Sequence, residues 1–98
     1  MTDLEVTRLC AEAMGLPGIE VRPNGVYCGT DTPWPCVGER YDPLGDDGQA
    51  FRLMVMMRIS AKPHEGGYIV EKGDHFVIST DVNIAICQLV ARLQREKQ

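Results

Sequence analysis

Two histidines and four cysteines are the side chains of this sequence that could hold a transition metal. A zinc site closes most readily when two of its ligands stand within about four residues of each other. His64 and His75 do not have this spacing, and neither do Cys28 and Cys36 or any other two cysteines. We therefore predict no metal and no cofactor, and we interpret the histidines as surface residues.

Nucleophilic chemistry has few candidates. The only serines, Ser60 and Ser79, fall in predicted strands, and neither lies in the Gly-x-Ser-x-Gly turn that presents a catalytic serine. Cys10 and Cys87 fall on apolar faces of predicted helices, where a buried thiol is unreactive. No glycine-rich loop has a standard phosphate-binding spacing. We predict that the protein is not an enzyme; a metal-dependent or thiol enzyme remains an alternative.

Acidic residues cluster before the second predicted helix. An EF-hand calcium loop that started at Asp42 would need a carboxylate at its twelfth position, which is Leu53. Asp46 and Asp47 are instead typical of a helix start, where carboxylates meet the positive end of the helix dipole. Residues 31–47 still carry five acids and one arginine. This loop is therefore a negative surface that could attract a basic partner.

Apolar side chains exceed what one helix face needs around residues 53–57. The surplus methionine Met56 is a candidate for contact with another protomer. The only tryptophan, Trp34, lies between two prolines in a predicted loop. It either folds back over the core as a lid or is an exposed anchor, since tryptophan is enriched in interface hot spots. The candidate interaction surface comprises Trp34, Asp42, Asp46, Asp47 and Met56.

The elements that must position these residues follow from hydrophobic spacing and turn residues. Thr2 and Glu5 have the spacing of a capping box, and Gly15 suits a left-handed helix stop. The remaining patterns predict a hairpin over 19–28, a helix that begins within 43–46, a strand over 59–62 that ends at Pro63, a hairpin over 68–79 and a helix from 80 or 81 to 95.

The hairpin over residues 68–79 predicts the architecture. A two-residue Gly-Asp loop sets a register that pairs Ile69 with Ile78 on one face and Val70 with Val77 on the other. Because both faces carry large apolar side chains, we expect helices to cover each. The sequence therefore predicts one α+β domain over residues 1–98. We expect a three-layer α/β/α sandwich of order α-β-β-α-β-β-β-α with a mainly antiparallel sheet.

Composition excludes several classes of protein. The 98 residues suffice for one domain, and 44% apolar with 24% charged residues is typical of a folded chain. A net charge of −4 argues against a module that binds duplex nucleic acid through its phosphates. The longest apolar run, residues 53–57, is too short to span a membrane. No signal peptide is visible, so we expect a cytoplasmic protein with unlinked thiols.

Three stretches together resemble a known family. They are residues 9–15 (LCAEAMG), residues 41–50 (YDPLGDDGQA) and residues 83–93 (NIAICQLVARL). The combination is similar to the phage ABA sandwich domain, a family of small phage and prophage proteins. Gly48 departs from the family pattern, which has an alanine-like helix former there, and the loop around Trp34 is longer. The resemblance implies the sandwich fold and carries over no functional residue.

These observations favour a phage-encoded accessory protein of the bacterial cytoplasm. We expect a non-enzymatic interaction module that binds a protein partner or itself, through surplus apolar surface. The alternative is a counter-defence protein that inhibits a host nuclease complex through its acidic loop or sequesters a nucleotide signal.

Overall fold

The computed structural model describes residues 1–28 and 40–97. The predicted α+β class is confirmed, and the predominantly antiparallel pairing is observed in two three-stranded sheets. One short strand is added to the expected order. Along the described chain the elements are α1 (Asp3–Ala13), β1 (Glu20–Arg22), β2 (Gly25–Tyr27), β3 (Arg40–Tyr41), α2 (Asp47–Met56), β4 (Ser60–His64), β5 (Gly67–Lys72), β6 (His75–Ser79) and α3 (Val82–Lys97).

The ends of α1 follow the predicted capping residues. The Thr2 hydroxyl accepts a hydrogen bond from the Glu5 amide at 3.2 Å, which satisfies a free donor of the first turn. At the other end Gly15 adopts a φ of +70°, and the Leu16 amide donates to the Ala11 carbonyl. This is the left-handed stop that glycine permits without steric cost.

The apolar run after Gln49 is helical, as the methionines indicated. Asp46 caps α2 by accepting a hydrogen bond from the Gln49 amide at 2.9 Å. The inward stripe begins with Ala50 and Leu53, which are buried. A left-handed residue, Arg58 with a φ of 55°, separates α2 from β4. The chain therefore passes from helix to strand within a few residues.

The strand β4 is longer than predicted and contains Pro63 instead of ending before it. Strands β4 and β5 are joined by the two-residue turn Glu65-Gly66, in which both residues have positive φ. In such a turn the two flanking residues, His64 and Gly67, form a hydrogen-bonded pair. Hydrogen-bonded and non-hydrogen-bonded pairs alternate, so Pro63 and Tyr68 do not hydrogen-bond to each other. Proline is accommodated because its nitrogen faces the outer edge of the sheet.

The core is built around α3. This helix packs against α1 and α2 on one side and against β5 and β6 on the other. Ala85, Leu89 and Ala91 of this helix are fully buried, which allows close approach from several directions. Val26 and Tyr41 of the first sheet join the same core cluster beside α1.

The predicted register of the β5–β6 hairpin is confirmed, with Ile69 opposite Ile78 and Val70 opposite Val77. The expected helices on both faces are not observed among the described residues. Val70 and Val77 pack beneath α3, whereas the face with Phe76 and Ile78 is exposed. The reason is that α1 and α2 pack on the far side of α3, so all three helices lie on one side of this sheet.

Candidate interaction surface

The predicted surface residues are separated along α2. Asp46 and Asp47 lie at its N-terminus and Met56 at its C-terminus, about 14 Å apart along a helix of this length. Asp42 lies in the turn before the helix. Trp34 lies outside the described residues. The structure therefore brings the three acids together and does not bring Met56 to them.

Each of the three carboxylates has a local partner. Asp42 lies 3.5 Å from the Arg40 guanidinium and accepts from the Gly45 amide. Asp47 accepts a 2.7 Å hydrogen bond from the Asn83 side chain of α3, which ties α2 to the central helix. Asp46 caps α2, as described above. These acids therefore organise the start of α2, in agreement with the helix-start interpretation of Asp46 and Asp47.

A cleft of about 520 Å³ lies beside this turn. The charged side chains that line it among the described residues are Asp3, Arg40 and Asp42, and Met1 lines it as well. The Arg40 guanidinium is already paired with the Asp42 carboxylate.

The outer side of α2 is apolar and exposed. Phe51, Val55 and Met56 are 60%, 55% and 64% exposed. Phe51 and Val55 stand one turn apart on the side opposite Leu53, so they form one stripe. Met56 is at the C-terminal end of the helix, about 100° around the axis from Val55. We call these three residues the α2 surface. Sequence reasoning identified only Met56; the i, i+4 spacing of Phe51 and Val55 was the signal for the others.

A second apolar surface covers the side of the β4–β6 sheet that faces away from α3. Phe76 and Ile78 are 53% and 52% exposed, and Ile69 beside Ile78 is half-buried. The Lys62–Glu71 ion pair, with 3.2 Å between nitrogen and oxygen, lies on the same face. We call Ile69, Phe76 and Ile78 the outer sheet face.

The two edges of this sheet differ. On β4 the backbone groups that point away from the sheet edge belong to Ala61 and Pro63, and proline offers no N–H group. On β6 the backbone groups that point away from the edge belong to Phe76 and Ile78, and both residues have an N–H group. A groove of about 470 Å³ runs along β6, lined by Phe76, Ile78 and other β6 residues and by Gln88 and Arg92 of α3.

The histidines are half-buried, and His64 lies at the end of β4 instead of in a loop. His64 and His75 pair with opposite ends of β5, about 17 Å apart along the strand. Within residues 1–28 and 40–97, no three histidine, cysteine or acidic side chains form a group that could hold a metal ion. Cys36 lies outside these ranges.

The thiols of Cys10 and Cys28 are shielded from solvent. Cys10 and Cys87 are fully buried, and the Cys10 thiol lies 3.5 Å from the Cys87 carbonyl oxygen. The hydrogen bond with Cys87, together with burial, raises the pKa of Cys10 far above its usual value. Burial also raises the pKa of Cys28. Because the thiolate is the nucleophile, these cysteines are poor candidates for covalent chemistry.

The phenol of Tyr41 is also buried, and its hydroxyl has no hydrogen-bond partner among the described residues. Burial raises the pKa of Tyr41 as well. The phenol is therefore neutral throughout the physiological pH range.

Among the described residues, no helix is long and apolar enough to cross a membrane. Comparison with protein-family models, with curated proteins and with solved structures finds no match to this chain.

Proposed function

We propose that this is a phage- or prophage-encoded accessory protein that acts in the bacterial cytoplasm by binding a protein, without catalysis. The phage origin and, with it, the location in the bacterial host cell have the sequence resemblance as their support. The binding role has one structural observation as its support: the large apolar side chains of the α2 surface and the outer sheet face are more than half exposed at five positions.

These residues form two groups instead of scattering over the surface. Isolated exposed apolar residues are normal in folded proteins, whereas contiguous patches mark interaction sites. Phe51 and Val55 are adjacent on one helix face, and Phe76 and Ile78 are adjacent on one strand face. The grouping favours a surface that is covered by a partner in the cell.

The counter-defence alternative has less support. A nuclease inhibitor that mimics nucleic acid needs carboxylates that are free to meet a basic partner. Asp42, Asp46 and Asp47 accept hydrogen bonds from within the chain. The apolar surfaces therefore support binding better than the acidic loop does.

Binding through the apolar surfaces and binding through the acidic loop can be distinguished by variants that keep the fold. Asp42→Asn, Asp46→Asn and Asp47→Asn together remove charge while retaining the oxygens that cap α2. Phe76→Ser with Ile78→Thr makes the outer sheet face polar. Wild type and both variants are compared by light scattering at increasing concentration and by capture of partners from a bacterial lysate.

We expect association or capture to survive the asparagine substitutions and to weaken at least tenfold in the polar-face variant. Association lost only in the asparagine variant would favour the counter-defence alternative. The binding role would be contradicted if the wild-type chain is monomeric at about 100 μM and captures no protein from the lysate.

A further inference from the structure

Among the described residues, no strand pairs with the outer edge of β6. Lys72 and His75 flank the two-residue loop between β5 and β6 and form a hydrogen-bonded pair. Because such pairs alternate with non-hydrogen-bonded ones, the backbone N–H and C=O groups of Phe76 and Ile78 point away from β5. A side-chain contact independently supports this assignment, because Arg92 donates a 3.3 Å hydrogen bond to the Phe76 carbonyl oxygen. The carbonyl therefore points out of the sheet edge.

We propose that β6 pairs antiparallel with β6 of a second copy of this chain, around a two-fold axis at Val77. This inference deepens the proposed binding function and rests on it, since it names the partner and the edge. A two-fold axis at Val77 sets Phe76 opposite Ile78 of the second copy. Both residues face outward, so the two pairs form four backbone hydrogen bonds.

Side chains match in the same register. Phe76 of one copy lies beside Ile78 of the other on the outer sheet face, which joins the two exposed faces into one. Aromatic and β-branched residues are a stabilising cross-strand pair, and both side chains are about half exposed in the single chain (53% and 52%). Association therefore covers part of each.

The helices also meet in this arrangement. The axis at Val77 is perpendicular to the sheet, so both copies of α3 lie on the same face. Because α3 packs against both β5 and β6, the two copies of α3 are brought to neighbouring positions over the joined sheet.

Charge on α3 is complementary under the same two-fold axis. Ile84, Gln88 and Arg92 form an exposed stripe, and Gln88 and Arg92 line the β6 groove. With the helices antiparallel and Gln88 at the axis, Asp81 of one copy faces Arg95 of the other, and Ile84 faces Arg92. Opposite charges therefore meet at the two ends, and no like charges face each other.

The edge contact of Arg92 is compatible with pairing. A carbonyl oxygen has two lone pairs, so Phe76 can accept from Arg92 and from a strand amide at once. In the single chain the same contact covers part of the edge, as charged residues do on many edge strands.

A proline substitution tests the strand pairing. Ile78→Pro removes an N–H group that faces outward and has no bond within the sheet, as Pro63 does naturally on β4. Ala61→Pro is the matched control, since Ala61 faces outward on the opposite edge. We expect the wild-type chain and the A61P control to be dimers with similar dissociation constants. The I78P substitution should raise the dissociation constant of the dimer at least tenfold. Light scattering and sedimentation measure both. Far-UV circular dichroism and the urea midpoint verify that I78P folds.

Amide hydrogen exchange of the wild-type chain provides a readout that does not depend on any variant. The Phe76 and Ile78 amides are expected to become protected as concentration rises, while the outward Ala61 amide stays unprotected. The Val77 amide faces β5 and serves as an internal reference that is protected at all concentrations.

Two results would overturn the β6 pairing while leaving the binding function intact. One is a dimer whose dissociation constant is unchanged in I78P and whose Phe76 and Ile78 amides stay unprotected, which would assign the interface to another surface such as the α2 surface. The other is a monomer in which these amides become protected only on adding a partner protein, which would assign the edge to an extended segment of that partner. A chain that neither self-associates nor binds would overturn both proposals.

Discussion

The two faces of the β5–β6 hairpin carry similar side chains and have opposite surroundings. Val70 and Val77 are 0% and 7% exposed beneath α3, whereas Phe76 and Ile78 on the other face are more than half exposed. Burial thus depends on where the helices pack, and the apolar character of a strand position does not determine it. One face stabilises the fold, and the other is available to a partner.

The same contrast occurs on α2. Leu53 is fully buried, while Phe51 and Val55 on the opposite side are exposed. The β5–β6 hairpin and α2 therefore each have one apolar side that is buried within the chain and one that is exposed to solvent. A substitution on the inner side should change the free energy of unfolding, and one on the outer side should change association.

The largest difference is expected for a charge on each face of the hairpin. Val70→Asp places a carboxylate in the core without a counter-charge, which costs several kcal/mol, a large part of the stability of a typical domain. Ile78→Asp should lower the free energy of unfolding of the single chain by only about 1–2 kcal/mol, because Ile78 is half exposed at the edge of the sheet. Circular dichroism should show an unfolded V70D chain and a folded I78D chain. If both unfold, the outer sheet face is part of the core after all.

A smaller difference is expected between the two sides of α2. Leu53→Ala leaves a cavity in the core and should lower the free energy of unfolding by about 2–5 kcal/mol. Met56→Ala removes an exposed side chain and should change it by less than about 0.5 kcal/mol. Urea titration measures both. A loss above 2 kcal/mol or so in M56A would mean that Met56 packs against the chain.

The smallest effect is expected from the ion pair on the outer sheet face. Lys62 and Glu71 are 65% and 39% exposed, so solvent screens their attraction. Lys62→Ala should lower the free energy of unfolding by less than about 1 kcal/mol, and the difference from wild type should vanish in about 1 M salt. A loss that persists at high salt would indicate that the lysine stem packs on the sheet.

Local features were predictable from the sequence because their causes are local. Thr2, Asp46 and Gly15 determine helix ends by hydrogen bonds and backbone conformation within one turn. The Gly-Asp loop determined the β5–β6 register through its length, and that register placed Ile78 and Val77 on opposite faces.

Which sheet face the helices pack against was not predictable in the same way. Alternation shows which residues share a face, but the packing of α1 and α2 behind α3 depends on contacts between residues far apart in sequence. Pro63 was predicted to end its strand, because proline commonly does so. The predicted order of elements along the chain did not show that β4 is an edge strand, where proline is tolerated. For the same reason the candidate site included Met56 and missed Phe76 and Ile78.

Pro63 has a consequence for the size of any assembly built on this sheet. An open sheet edge is a template on which a further strand can pair. Two copies joined through β6 as proposed would form a closed two-fold contact, with Pro63 on both outer strands. At those strands the missing N–H group of Pro63 would oppose the pairing of a third copy, so the assembly would be limited to two chains.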